Sequence, residues 1–184
     1  MLMDAAAEVG YYTADVTRTW PISGKFTPEQ RAIYDIVLRA QDAGIAKCRA
    51  GVPVGEVHDA AVREVTKGLV ALGILEGDVD DLIKKNAHRK YFMHGTSHWL
   101  GLDVHDAGDY QGKKRALAPG MILTVEPGIY IPEGTEGIDK KWWGIGVRIE
   151  DDILVTPGDP NNLTGRLPRT ADALEAVVRA GQTN

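Results

Sequence analysis

Four carboxylates, Asp4, Asp15, Glu126 and Glu150, stand in segments whose other residues suit β-strands. That placement constrains the fold more than any other feature of the chain. Strands rich in Val, Ile, Thr and aromatic residues pack at least one face against a core. An unpaired carboxylate in apolar surroundings is expensive. A fold that buries these strands must therefore bring the acids to a cation, a proton or solvent.

The first two acids lie in an apparent β-hairpin. Met1-Leu2-Met3 and the stretch from Thr13 to Trp20 flank a turn near Val9-Gly10. A turn placed there sets Asp4 directly opposite Asp15. Opposed side chains have Cβ atoms about 4.5–5.5 Å apart, and like charges in such a pair destabilise it. Taken alone, the two acids also fit a solvated hairpin face. Glu126 ends an apolar run in Thr124-Val125-Glu126-Pro127-Gly128. Glu150 sits in an alternating segment, Gly146 to Thr156. Val147, Ile149, Asp151 and Ile153 share one face, and Arg148, Glu150, Asp152 and Leu154 the other. Arg148 can hold a neighbouring carboxylate through two parallel hydrogen bonds, so a plain ion pair also accounts for Glu150 by itself.

Between these acids lies Phe92-Met93-His94-Gly95-Thr96-Ser97-His98-Trp99-Leu100-Gly101-Leu102-Asp103-Val104-His105-Asp106. It holds three of the 5 histidines, with glycines that let backbone approach a ligand. Imidazole is the commonest metal ligand and the natural proton carrier near neutral pH. Four carboxylates with imidazole form an oxygen-rich site suited to Mn, Co or Zn rather than to a thiolate metal. The charge balance favours two divalent ions, which in such centres lie about 3.5–4 Å apart and activate a water.

The remaining pattern frames this cluster. Thr27-Pro28-Glu29-Gln30 predicts a helix start, with Thr27 and Gln30 as a capping box and Pro28 in the first turn. A stripe of Ile33, Ile36, Val37 and Ala40 follows, and Arg49-Ala50-Gly51-Val52-Pro53 ends the helix. A second helix after Gly55 turns Val57, Ala61, Val65, Leu69 and Leu72 inward and stops at Gly73. A short helix is expected from Val79 to Asn86, a strand from Met121 to Tyr130, a polar loop from Pro132 to Lys141, and a last helix capped by Thr170. The 184 residues then form one α+β unit without an internal linker. Cys48, the single cysteine, excludes an intramolecular disulfide framework and reads as a packing residue, consistent with the cytoplasm. The net charge of −5 argues against nucleic acid and anionic membranes as partners, and no apolar run reaches membrane-spanning length. The basic run Lys84, Lys85, Arg89 and Lys90 reads as a solvated surface. His58 and His88 lack companion ligands. Trp142-Trp143 would wall a cleft or cover a sheet edge.

Four ordered stretches resemble the metallopeptidases of the pita-bread fold, family M24, and most of all their Xaa-Pro aminopeptidase branch, with prolidase next. They are Met3-Asp4 with residues Ala14 to Thr19, His94 to Asp106, Leu123 to Tyr130, and Gly144 to Asp152. The resemblance implies a curved antiparallel sheet backed by helices. It implies that Asp4 holds one metal, His98 and Glu126 the other, and Asp15 and Glu150 both. It gives His94 the substrate carbonyl, His105 substrate binding and proton movement, and Arg148 and Tyr130 the steadying of Asp4. The implied reaction is hydrolysis of the N-terminal Xaa-Pro bond of a peptide by a hydroxide bridging two divalent ions, with Mn first and Co or Zn behind. The implied partner is a peptide with proline at its second position, and a homo-oligomer is left open. Prolidase, a non-catalytic binding module and an inactive remnant of the fold are the alternatives. In this family the first ligand aspartate comes late in a two-fold-repeated domain. Here it is residue 4, so residues 1–184 are expected to be a partial catalytic domain. The first half of the repeat, the separate N-terminal domain and an upstream active-site histidine have no counterpart. An exposed sheet edge and apolar surface should result.

Overall fold

A computed structural model describes residues 1–182. The chain runs β1 (Leu2–Ala5), β2 (Glu8–Val9), β3 (Tyr12–Thr13), β4 (Val16–Thr19), α1 (Pro28–Ile45), α2 (Gly55–Ala71), α3 (Val79–Lys84), β5 (Ile122–Val125), β6 (Gly128–Ile131), β7 (Ile145–Arg148), β8 (Asp151–Leu154), β9 (Asn161–Asn162) and α4 (Ala171–Gln182). This is the α+β arrangement that the residue pattern predicts.

The helices begin where their caps direct. Thr27 Oγ1 accepts the Gln30 N–H at 3.2 Å, and Gln30 Oε1 accepts the Thr27 N–H at 3.1 Å, so the capping box is reciprocal. Asp78 caps α3 through the Asp81 N–H, and Thr170 caps α4 through the Ala173 N–H. Helices α1 and α2 pack closely along their apolar stripes. Ile33, Val37, Val65 and Leu69 are fully buried, and each such side chain contributes about 1.5–3 kcal/mol of hydrophobic stabilisation. The close approach depends on Gly68 of α2. A Cβ there would stand 2.5 Å from Ile36 Cγ2. Leu72 is only half-buried.

Against this helical layer lie the strands. Strands β1 and β4 pair antiparallel, as do β2 and β3, β5 and β8, β8 and β9, and β6 and β7. The two long strands expected from sequence are each broken in two. The first breaks at Glu126-Pro127, where proline has no N–H to give the ladder. The second breaks at Ile149-Glu150, where the Glu150 N–H turns to the Thr17 carbonyl and the Ile149 N–H to that of Pro127. Each long segment thereby passes from one small sheet to another at its acidic residue.

The hairpin register differs from expectation. Asp4 faces Thr17, not Asp15. The turn lies at Gly10-Tyr11, with positive φ at both (59° and 69°), the mirror-image turn that matches strand twist. Moving the turn by one residue shifts the pairing by two. Because side chains alternate with period two, both aspartates keep the same face.

Val147 and Ile149 enter the core on the helix side, while Arg148 and Glu150 point away from it. Trp142 is buried in this core, Trp143 packs beside it and donates its indole N–H to Thr135, and neither lines the acidic cavity. Cys48 is buried, and burial pushes its thiol up to about 12. Among the described residues no helix is long and apolar enough to cross a membrane.

Candidate metal centre

The four acids and three histidines converge on one cavity of about 480 Å³. Asp4 comes from β1, Asp15 from the segment entering β4, His94, His98 and His105 from the irregular 92–106 stretch, and Glu126 and Glu150 from the two strand breaks. A carboxylate in a ladder alternates with its neighbours into one face. At a break it is free to turn towards donors from another sheet.

Three overlapping groups have ligand atoms within 4.8 Å of one another: Asp4 with Asp15 and Glu150, His98 with Glu126 and Glu150, and Asp15 with His98 and His105. His98 Nε2 stands 3.3 Å from Asp15 Oδ2 and 3.6 Å from Glu126 Oε1. Its Nδ1 lies 3.0 Å from the Trp99 carbonyl, which can only accept, so Nδ1 carries the proton and Nε2 offers its lone pair to the cavity. His94 is held by the Gly95 carbonyl at Nδ1 (2.7 Å) and by the Tyr130 hydroxyl at Nε2 (2.8 Å). Burial lowers its pKa and keeps it neutral. His105 is exposed, and its ring meets that of His98 edge-on at 4.3 Å.

Charge is not balanced inside the cavity. Glu150 is 1% exposed. Burial, then the charge of Glu126, pushes it up to about 8. Burial first, with Asp15 and Asp4 adding to it, raises Glu126 to about 7 against the pull of Arg148. Asp15 is raised by burial and by its hydrogen bond with Asp4. Among the described residues Arg148 is the only guanidinium lining the cavity, and no lysine does. It donates to Asp4 Oδ2 at 2.7 Å and to Thr17 Oγ1 at 3.0 Å, and the Thr17 hydroxyl donates in turn to Glu150 Oε2 at 2.5 Å. One cation for four acids leaves a deficit that divalent ions fit, and the oxygen-rich donor set with imidazole nitrogen suits them.

Arg148 contacts Asp4, and Tyr130 contacts both His94 and Arg148. Several supporting residues carry no sequence signal. Thr17 orders Glu150. Asp152, buried and raised to about 6 by burial, accepts the Asp15 N–H at 3.2 Å. Behind it, Arg18 donates to Asp151 at 2.7 Å, and Gln41 on α1 donates to the same carboxylate at 3.1 Å. His58 on α2 contacts Thr96 in the histidine loop. His88 is buried, and its Nδ1 has no hydrogen-bond partner.

Known proteins resemble this chain in sequence and fold. The sequence model of metallopeptidase family M24 matches residues 1–157. The chain is 50% identical over 183 residues to the Xaa-Pro aminopeptidase of Escherichia coli (strain K12), covering 99% of this chain and 41% of that protein. It is 47% identical over 180 residues to Xaa-Pro aminopeptidase 2 of Streptomyces coelicolor, covering 96% and 38%. The structure of Pseudomonas aeruginosa aminopeptidase PepP superposes with a TM-score of 0.96 at 49% identity, over 100% of this chain and 42% of that one. E. coli aminopeptidase P with the inhibitor Pro-Leu gives 0.95 at 50% identity, over 100% and 42%. The chain therefore spans about two-fifths of the length of these relatives and has, in part, their pita-bread fold. On its sequence match and its fold alike, it belongs to metallopeptidase family M24.

Proposed function

We propose that residues 1–184 carry the catalytic centre of a dinuclear metal-dependent Xaa-Pro aminopeptidase, cleaving the N-terminal residue from peptides with proline at the second position. The observation that carries this reading is the convergence of Asp4, Asp15, His98, Glu126 and Glu150 on one cavity, in a chain half-identical to Xaa-Pro aminopeptidases. We assign Asp4 to one ion, His98 and Glu126 to the second, and Asp15 and Glu150 to both. Manganese suits a set of four carboxylates and one imidazole. The buried single cysteine agrees with a cytoplasmic setting.

Bound divalent ions supply Lewis acidity and acidify water. The chain's own groups do the rest. Arg148 holds Asp4 in place, and Thr17 orients Glu150 through one oxygen, leaving lone pairs on both oxygens for ions. The Trp99 carbonyl keeps His98 in the tautomer that offers Nε2. Both ring nitrogens of His94 are engaged, so reaching a substrate carbonyl exchanges the Tyr130 or Gly95 bond for one to substrate. His105, on the exposed side of the cavity, is placed to pass protons to solvent.

The test is metal content after dialysis against Mn²⁺, together with hydrolysis of Xaa-Pro tripeptides and Xaa-Pro dipeptides. Two ions per chain and tripeptide turnover are expected, with a melting temperature lowered by EDTA. Cleavage of dipeptides alone would point to a prolidase. Two ions without turnover would mark an inactive centre, and no bound ion would overturn the proposal.

A further inference from the structure

His58 lies on α2, outside the metal cavity, and no role falls to it from the residues of the site. Its Nδ1 stands 2.8 Å from Thr96 Oγ1. Thr96 is 1% exposed, and the same residue's carbonyl accepts the Glu126 N–H at 2.8 Å. Two residues on, His98 exchanges two hydrogen bonds with Thr124: its N–H donates to Thr124 Oγ1 at 3.2 Å, and its carbonyl accepts the Thr124 N–H at 3.0 Å. The His58 ring also packs on Phe92 (centroids 5.6 Å), and Phe92 meets His94 edge-on at 5.0 Å. His58 thus touches Phe92 and Thr96, the residues two before and two after His94, in the stretch that also carries His98. The back of that loop borders a cavity of about 90 Å³ lined by Gly95, Thr96, Ser97 and His58, among others. The buried Ser97 hydroxyl has no partner. Backbone hydrogen bonds from Glu126 to Thr96 and from Thr124 to His98 hold the stretch to β5 and its end, and His58 adds a tie to α2.

We infer that His58 is a positioning residue: through Thr96 it ties α2 to the histidine loop and so sets the spacing of His98 and Glu126. The ring stays uncharged, since burial holds it at about 4, and the tie keeps one hydrogen-bonding form across the neutral range. The geometry stands on the structure alone; that the spacing matters for an ion rests on the metal-centre reading above.

The experiment uses the full chain with His58→Ala, His58→Asn, Thr96→Val and the His58→Ala/Thr96→Val double variant. Mn²⁺ affinity and the visible absorption spectrum of the Co²⁺-loaded protein are the readouts. Loss of a partner that orients a ligand typically weakens metal binding on the order of 10–100-fold. The low end is expected for His58→Ala, with a shifted Co²⁺ spectrum. Asparagine can place its amide where Nδ1 stood and should restore most of the loss. The double variant should bind no more weakly than Thr96→Val alone. Wild-type affinity and spectrum in a folded His58→Ala variant would overturn the inference. So would a His58→Asn variant as weak as alanine, which would mean packing rather than a hydrogen bond. Amide exchange in the metal-free chain separates this from failure of the metal reading. If wild type binds no ion, faster exchange at Glu126 in His58→Ala still supports the tie, and unchanged exchange refutes it.

Discussion

The two faces of the β1–β4 pair carry opposite problems. One face turns Asp4 and the neighbouring Asp15 into the acidic cavity, with Thr17 buried between Arg148 and Glu150. The other forms the floor of an apolar groove of about 620 Å³, with Met3, Ala5 and Val16 on the strands and Leu174, Val177 and Val178 on α4. The first face suffers from charge without a counter-charge, and the second from apolar surface left in water. Arg18 crosses this division. It lines the groove, yet its guanidinium is satisfied by Asp151 and by the carbonyls of Glu150 and Pro168. Counter-ions remedy the first face, and only apolar cover remedies the second. The two should therefore respond to different agents, and this can be tested.

The largest effect should come from Glu150→Gln. If Glu150 holds both ions as proposed, removing its charge should weaken Mn²⁺ binding beyond the roughly 100-fold upper range for a lost outer partner and stop hydrolysis. The same change should raise the melting temperature of the metal-free chain, because a neutral side chain replaces a buried acid held near 8. Metal titration and calorimetry read the two signs separately. A metal-free variant less stable than wild type would break the first half of the comparison.

Leu174→Ala tests the second half. Leu174 is 6% exposed on the groove floor, and its truncation should cost about 2–4 kcal/mol. The loss, read by denaturant unfolding, should be the same with and without Mn²⁺.

A smaller effect is expected from pH. In the metal-free chain Glu126 and Glu150 titrate at about 7 and about 8 instead of 4.5. The folded state then holds protons that the unfolded chain has released. This contribution is full below pH 4.5 and is lost as pH rises through 7 and 8. The melting temperature of the metal-free chain should fall across that window, and saturating Mn²⁺ should remove or reverse the fall, since the ions bind the ionised acids. A flat metal-free profile would mean that the acids are already balanced.

The smallest effect is Val177→Ser. Val177 is 55% exposed at the groove. Stability should change by less than about 0.5 kcal/mol, while binding of a hydrophobic dye should drop. No change in dye binding would place the sticky surface elsewhere.

Much of this was legible from residue types. The capping box at Thr27 and Gln30, the α2 stripe and the acids stranded in apolar runs each depend on neighbours close in sequence. The converging acids could be named because a carboxylate beside Val125 or Ile149 needs an external reason. The hairpin register departs by two from the one the sequence suggests because Tyr11, a residue disfavoured at positive φ, takes half of the turn. Pro127 marks the break at Glu126 in the sequence itself, whereas the break at Glu150 has no local signal because its partner, Thr17, lies far along the chain. Thr17, Gln41, Asp152 and His58 were illegible for the same reason. Each is an ordinary residue until folding brings it to a carboxylate or loop from another segment.

The contact between Gly68 and Ile36 has a consequence for how this chain can drift. The two helices meet where one residue has no side chain and the other has a branched one. Neither position can enlarge until the other shrinks. Gly68→Ala and similar changes are closed as single steps and open only after Ile36 has become smaller. The pair is a two-key lock on the layer that supports the histidine loop, and its members should change together among descendants of this sequence.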